Sequence, residues 1–246
     1  MSPFSDVSWS PSLISTSVPA GQNKTINVSF QSVGNLRNVV LRVVPELQSF
    51  VSVAPHSFAT VAARQSTTVA VTISSSALLP PTTIEGAIQI RSDTAPGETI
   101  AIPLPIAINF IWSTYHNEQL GFSLTVPPSL IARSSTDPVV KEITFLMPPA
   151  ASENDVIFLV KIAPLPTGQT LEQAIENGGI DPSSIGQITL GGRAYFRFAS
   201  QGQSDGTVSY ASTYPHNQII IFSAPVGYFA SSPAFSDIIA SLSVLQ

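Results

Sequence analysis

Ile100-Ala101-Ile102-Pro103-Leu104-Pro105-Ile106-Ala107-Ile108-Asn109-Phe110-Ile111-Trp112-Ser113-Thr114-Tyr115-His116-Asn117-Glu118-Gln119-Leu120-Gly121-Phe122-Ser123-Leu124-Thr125-Val126-Pro127 is the stretch whose reading decides the fold. Ile100, Ile102, Leu104, Ile106, Ile108 and Phe110 hold period two, the spacing of a half-buried β-strand. Phe122, Leu124 and Val126 alternate again before Pro127. No Gly/Ser-rich linker separates the two runs, so one domain is expected over 1–111 and a second over 112–246, held at a restricted angle. Pro103 and Pro105 fall on the opposite parity to the apolar residues. Successive N–H groups point to alternate edges, so both missing donors lie on one edge, which predicts an edge strand.

Toward the N-terminus, further short runs alternate between turn signals: Thr25–Phe30, Val39–Val44, Phe50–Val53, Thr67–Ile73 and Ala87–Ile90. Strands at that density predict a seven-stranded antiparallel sandwich. Val18-Pro19-Ala20-Gly21-Gln22 before a strand and Ser66–Thr72 later resemble the immunoglobulin-like modules of bacterial surface proteins. The cysteine pair of antibody domains is absent.

Toward the C-terminus, strands are expected at Glu142–Met147, Val156–Ile162, Gln187–Leu190, Ala194–Phe198, Thr207–Tyr214 and Gln218–Phe222. Ile219-Ile220-Ile221-Phe222 is apolar on both faces, as a central strand covered on both sides would be. Thr170-Leu171-Glu172-Gln173 is a capping-box signature, and Gly178-Gly179 a stop signal, so a short helix lies between them. Ser232-Pro233 supplies an N-cap and an N1 proline. Phe235, Ile238, Ile239 and Leu242 follow at i, i+3, i+4 and i+7, an amphipathic helix. The reading is mostly β in two domains: a sandwich, then an α+β antiparallel sheet with two helices.

Tyr115, Asn117, Leu120, Gly121, Phe122 and Pro127 form the pattern with which PsbP-like domains open, and residues 112–246 resemble that family. The Gly191-Gly192-Arg193-Ala194 turn and the closing Ser241-Leu242-Ser243-Val244-Leu245 fit it too. The family's usual tryptophan after the proline is missing, with Leu130 near its place. The resemblance implies a fold used mainly for binding, without a defined activity.

Composition narrows the classes. The chain has 246 residues, 10% of them charged, with 21 prolines, 14 glycines and no cysteine. Thiol catalysis, disulfides and Cys-ligated metals are therefore excluded. The first 111 residues balance five basic against five acidic side chains, while the rest carry five basic and ten acidic. Without a basic stripe, neither nucleic acid nor anionic lipid is an expected partner. No apolar run is long enough for a transmembrane helix. The low-charge, Ser/Thr-rich profile suggests an extracytoplasmic or cell-surface protein whose targeting segment is absent from this sequence, or a fragment of a longer anchored one.

Chemistry is sparse. Gly202-Gln203-Ser204-Asp205-Gly206 matches Gly-x-Ser-x-Gly, but its flanks read as strands, whereas a hydrolase needs strand, sharp turn and helix. His56, His116 and His216 each stand alone, so only an adventitious metal site is conceivable. Glu153-Asn154-Asp155 lacks the acidic spacing of a calcium loop, and Glu172 and Glu176 mark an outer helix face. No catalytic, cofactor-binding or metal-binding residue is assigned, and no cofactor is expected. Tyr195, Arg197, Tyr210 and Tyr214 lie on neighbouring expected strands and form a candidate partner face. The competing reading packs the rings beneath a helix with their hydroxyls at the rim. The function expected is a non-enzymatic binding or scaffold protein whose partner is another protein. The alternative is a small-ligand carrier or hydrolase with its site between the domains, lined by His116 or Asp205.

Overall fold

The computed structural model describes residues 7–93, 103–135, 141–148, 156–200, 206–227 and 229–245. The fold is mostly β, with two α-helices and several antiparallel sheets among the described residues. The chain divides into two compact units, Met1–Trp112 and Ser113–Gln246. Trp112 belongs to the first because its ring is buried there and Nε1 donates to Leu79 O at 2.7 Å.

The first unit contains β1 (Val7–Ser10), β2 (Ile14–Pro19), β3 (Asn23–Ser32), β4 (Leu36–Val43), β5 (Val51–Ala54), β6 (Ser57–Val61), β7 (Ser66–Ser74), β8 (Thr82–Arg91) and β9 (Leu104–Ile111). One sheet runs β1-β3-β7-β5 and the other β2-β9-β8-β4-β6. Their inward residues share one core, in which Phe30, Val69, Val71 and Ile73 meet Ile88, Ile90, Ile106, Ile108 and Phe110.

Two expectations are corrected here. Among the described residues the unit has nine strands, not seven, and β2 pairs with β9 in parallel. The Ser/Thr-rich β2, the four-residue β1 and β6 carry too little apolar alternation to announce themselves. Nor is β9 an edge strand, since it lies between β2 and β8. Its partner β2 begins pairing at Ile106, one residue past Pro105. The prolines therefore mark only the end of β9 that β2 leaves uncovered. Ile100 and Ile102 lie outside the described residues.

The second unit contains β10 (Ser113–Asn117), β11 (Phe122–Val126), β12 (Ile131–Ser134), β13 (Lys141–Leu146), β14 (Val156–Pro164), α1 (Leu171–Asn177), β15 (Gly186–Leu190), β16 (Arg193–Ser200), β17 (Thr207–Tyr214), β18 (Gln218–Pro225), α2 (Pro233–Ala240) and β19 (Ser243–Val244). The large sheet runs β12-β13-β14-β18-β17-β16-β15, and a small one β10-β11-β19. The doubly apolar β18 stands at the centre of the seven.

On one face α2 buries Ala234, Phe235, Ile238 and Ile239. Phe235 meets Phe158 at 5.8 Å and Tyr210 at 5.6 Å between ring centroids. On the other face Leu171 and Ile175 of α1 pack with Phe198, Ala211 and Ile219. Helices this short are unstable alone, so the burial of these side chains, about 1.5–3 kcal/mol for each large one, is what holds them. Both arms of the Thr170–Gln173 capping box form. Ser232 takes the N-cap position of α2, but its hydroxyl donates to Phe229 O at 2.8 Å instead of capping the helix. The helix ends at Ala240, short of Leu242, because the chain turns there into β19.

Candidate functional site

Arg193, Tyr195 and Arg197 alternate along β16, and their cross-strand partners bring Tyr210 and Tyr214 onto the same sheet face. The four residues of the candidate partner face are thus neighbours, but three are core. Tyr195, Tyr210 and Tyr214 are 1%, 5% and 8% exposed. Tyr195 Oη donates to Ile239 O of α2 at 3.3 Å. Burial pushes its hydroxyl up to about 12, with Arg193 pulling it back. Arg197 is exposed, and its Nε donates to Tyr210 Oη at 3.3 Å. Arg197 alone of the four is exposed, while Tyr195 and Tyr210 pack against α2.

Tyr214 has a separate role. Its hydroxyl donates to Leu120 O at 2.9 Å and to Gly121 O at 2.6 Å. Burial raises its pKa against the lowering effect of Arg193. The β10–β11 turn it holds is built from the opening motif. Asn117 Oδ1 accepts from Leu120 N at 2.8 Å, and Asn117 Nδ2 donates to Tyr115 Oη at 3.0 Å. Gly121 sits at φ +74°, a conformation open to glycine and strained for L side chains. Gly121 O also accepts from Leu245 N at 2.9 Å, which ties the motif to the end of the chain.

That turn forms one wall of a half-open cleft of about 250 Å³ within the second unit. Glu118, Gln119, Leu120 and Gly121 share its lining with Lys141, Ile162, Tyr214, His216, Gln218, Val244 and Leu245. Sequence reading considered Glu118 only beside His116, or with His216 brought near by folding, as an adventitious metal site; the β10–β11 and β17–β18 turns bring Glu118 and His216 to one cleft. Nothing in the local sequence announces Lys141. His116 does not line the cleft, and His56 belongs to the first unit. Among the described residues no three His, Asp or Glu side chains gather as metal ligands.

Gly202–Asp205 lies outside the described residues, and so does Glu153-Asn154-Asp155. The strands flanking the Gly-x-Ser-x-Gly motif pair with each other, Ser200 opposite Thr207, so no helix follows it. Among the described residues no helix is long and apolar enough to cross a membrane.

No family model and no curated protein matches the chain. Among solved structures, a Bacteroides thetaiotaomicron protein aligns at 15% identity over 55% of this chain and 49% of its own, with a TM-score of 0.38. A family 123 glycoside hydrolase from Clostridium perfringens aligns at 9% identity over 41% of this chain and 23% of its own, TM-score 0.33. The YadV chaperone aligns at 13% identity over 90% of this chain and 100% of its own, TM-score 0.32. The chain thus spans about half the length of the first of these and about a quarter of the second. Likeness at this level assigns no function.

Proposed function

We propose that the chain is a non-enzymatic protein-binding or scaffold protein working outside the cytoplasm, its first unit an immunoglobulin-like sandwich and its second a PsbP-like domain. The observation that carries the binding role is the free edge of β15. This strand ends the seven-stranded sheet, and no backbone group of it bonds to a described residue beyond β16. It reads Gly-Gln-Ile-Thr-Leu, without charge or proline, and Ile188 is 37% exposed. Its register with β16 is unbroken from Gly186 to Leu190.

Natural sheets blunt such edges with charges, prolines, shortness or bulges. The other edges of the large sheets show those devices. Arg133 lies on β12, Pro19 ends β2, and β1 and β5 have only four residues. Opposite β6, the β4 ladder is interrupted at Asn38, which sits at φ +47°. An unguarded edge is what strand addition by a partner's extended segment requires. The PsbP-like assignment is supported by the Tyr115–Asn117–Gly121 turn and by the packing of Gly191 on the end of α2.

The test is a selection of displayed extended peptides on the intact chain. Peptides of alternating apolar and polar residues are expected to be enriched. The double variant Gln187→Lys/Thr189→Lys, with folding confirmed by circular dichroism, is expected to weaken them by about tenfold or more, the order of one or two lost strand hydrogen bonds. Binding that ignores both lysines overturns the assignment to β15.

A further inference from the structure

The cleft beneath the β10–β11 turn carries a second inference, independent of the β15 edge. Its size comes first. About 250 Å³ falls below the range of drug-sized ligand pockets, so its occupant is small. Its walls carry opposite charges, with Glu118 on the turn and Lys141 at the start of β13. Neither is in an ion pair with any described residue. Leu120, Ile162 and Val244 add apolar groups to the lining, and Gln218 an amide.

His216 also lines the cleft, carried there by the β17–β18 hairpin turn.

We propose that this cleft binds a small zwitterion with an apolar side chain, an α-amino acid or a dipeptide. Glu118 receives its ammonium group, Lys141 its carboxylate with His216 alongside, and Leu120, Ile162 and Val244 its side chain. The two charges select for a molecule carrying both ends free. A ligand lacking either end leaves one wall charge without its partner, at the cost of one charge-assisted hydrogen bond.

The experiment is an amide chemical-shift titration of the full chain with leucine, N-acetyl-leucine, leucine amide and leucyl-leucine. Leucine or leucyl-leucine is expected to give saturable shifts at Gly121, Gln218 and Leu245, and the tighter of the two identifies the source. Each singly blocked leucine is expected to bind about tenfold more weakly or worse. Glu118→Gln and Lys141→Ala lie on exposed side chains and should each weaken binding to a similar extent without altering the fold. No saturable shift with any of the four compounds overturns the proposal. So does equal binding of the blocked and free leucines.

Discussion

Tyr195 shows how one side chain couples the two layers of the second unit. Its ring is the largest of the fully buried side chains and meets Phe222 at 6.3 Å between centroids. Its hydroxyl reaches the α2 backbone, and burial lifts the phenol from 10.0 to about 12. The sign of the consequence is fixed: a group whose folded pKa is raised contributes stability that is whole below its unfolded value and lost as pH climbs through the folded one. The chain is therefore expected to lose stability between about pH 10 and about pH 12. Tyr195→Phe removes the ionisable group and one long hydrogen bond. At neutral pH it should cost no more than about 1 kcal/mol. Above pH 10 its urea midpoint should fall less steeply than that of the parent protein, a difference that paired denaturation series at pH 7 and pH 11 would read. Parallel alkaline slopes would show that Tyr195 does not carry the shift. The sequence placed this tyrosine on a strand beside Arg197 and Tyr210, but not its side of the sheet. Strand alternation gives parity, and only the position of α2 turns parity into inside and outside.

Elements were legible in proportion to their apolar periodicity. The helix framed by Thr170 and Gly178 was readable because its cap is a local bond pattern that needs no tertiary partner. The central β18 was readable because two-sided burial leaves a continuous apolar run. β2 was not, since Ile14-Ser15-Thr16-Ser17-Val18-Pro19 has a core residue only at each end and owes its place to pairing with β9. Two-residue β19 exists only through pairing with Phe122 and Ser123, a contact 120 residues away in sequence terms that no local window holds. The β15–β16 turn joins these scales. Gly191 lies at φ +56°, and a Cβ there would stand 2.0 Å from Ala240 O at the end of α2. Gly192 lies at φ +78° with nothing within 4 Å. Gly191→Ala must displace backbone and is expected to cost about 3 kcal/mol or more, whereas Gly192→Ala should cost only the left-handed penalty of about 1–2 kcal/mol. Thermal unfolding of the two variants compares them directly. Equal, small losses would mean that the turn does not rest on the helix as the structure places it.

At the scale of the whole molecule, each unit holds the features of a self-sufficient domain. The first has a sandwich core running from Val7 to Phe110, with Trp112 anchored on Leu79. The second closes on itself, since Phe122 and Ser123 at its beginning pair with Ser243 and Val244 at its end. The sequence places a division after residue 111, one residue before the boundary after Trp112, because period two runs to Phe110 and a new alternation starts at Phe122, each run needing its own sheet. The cleft was not legible in this way: its polar lining draws on residues 118, 141 and 216, which only the hairpin turns and the sheet order bring together. The same closure yields a prediction. Residues 1–112 and 113–246, expressed separately, are each expected to unfold in a single cooperative transition, since units of this size with continuous cores satisfy two-state folding. Deleting Ser243–Gln246 from the second fragment should weaken it, because Phe122 and Ser123 lose their strand partners and Gly121 O its bond from Leu245 N. Circular dichroism melts of the two fragments and the truncated form would read both effects. A fragment that melts without cooperativity would show that its core is completed from elsewhere in the chain.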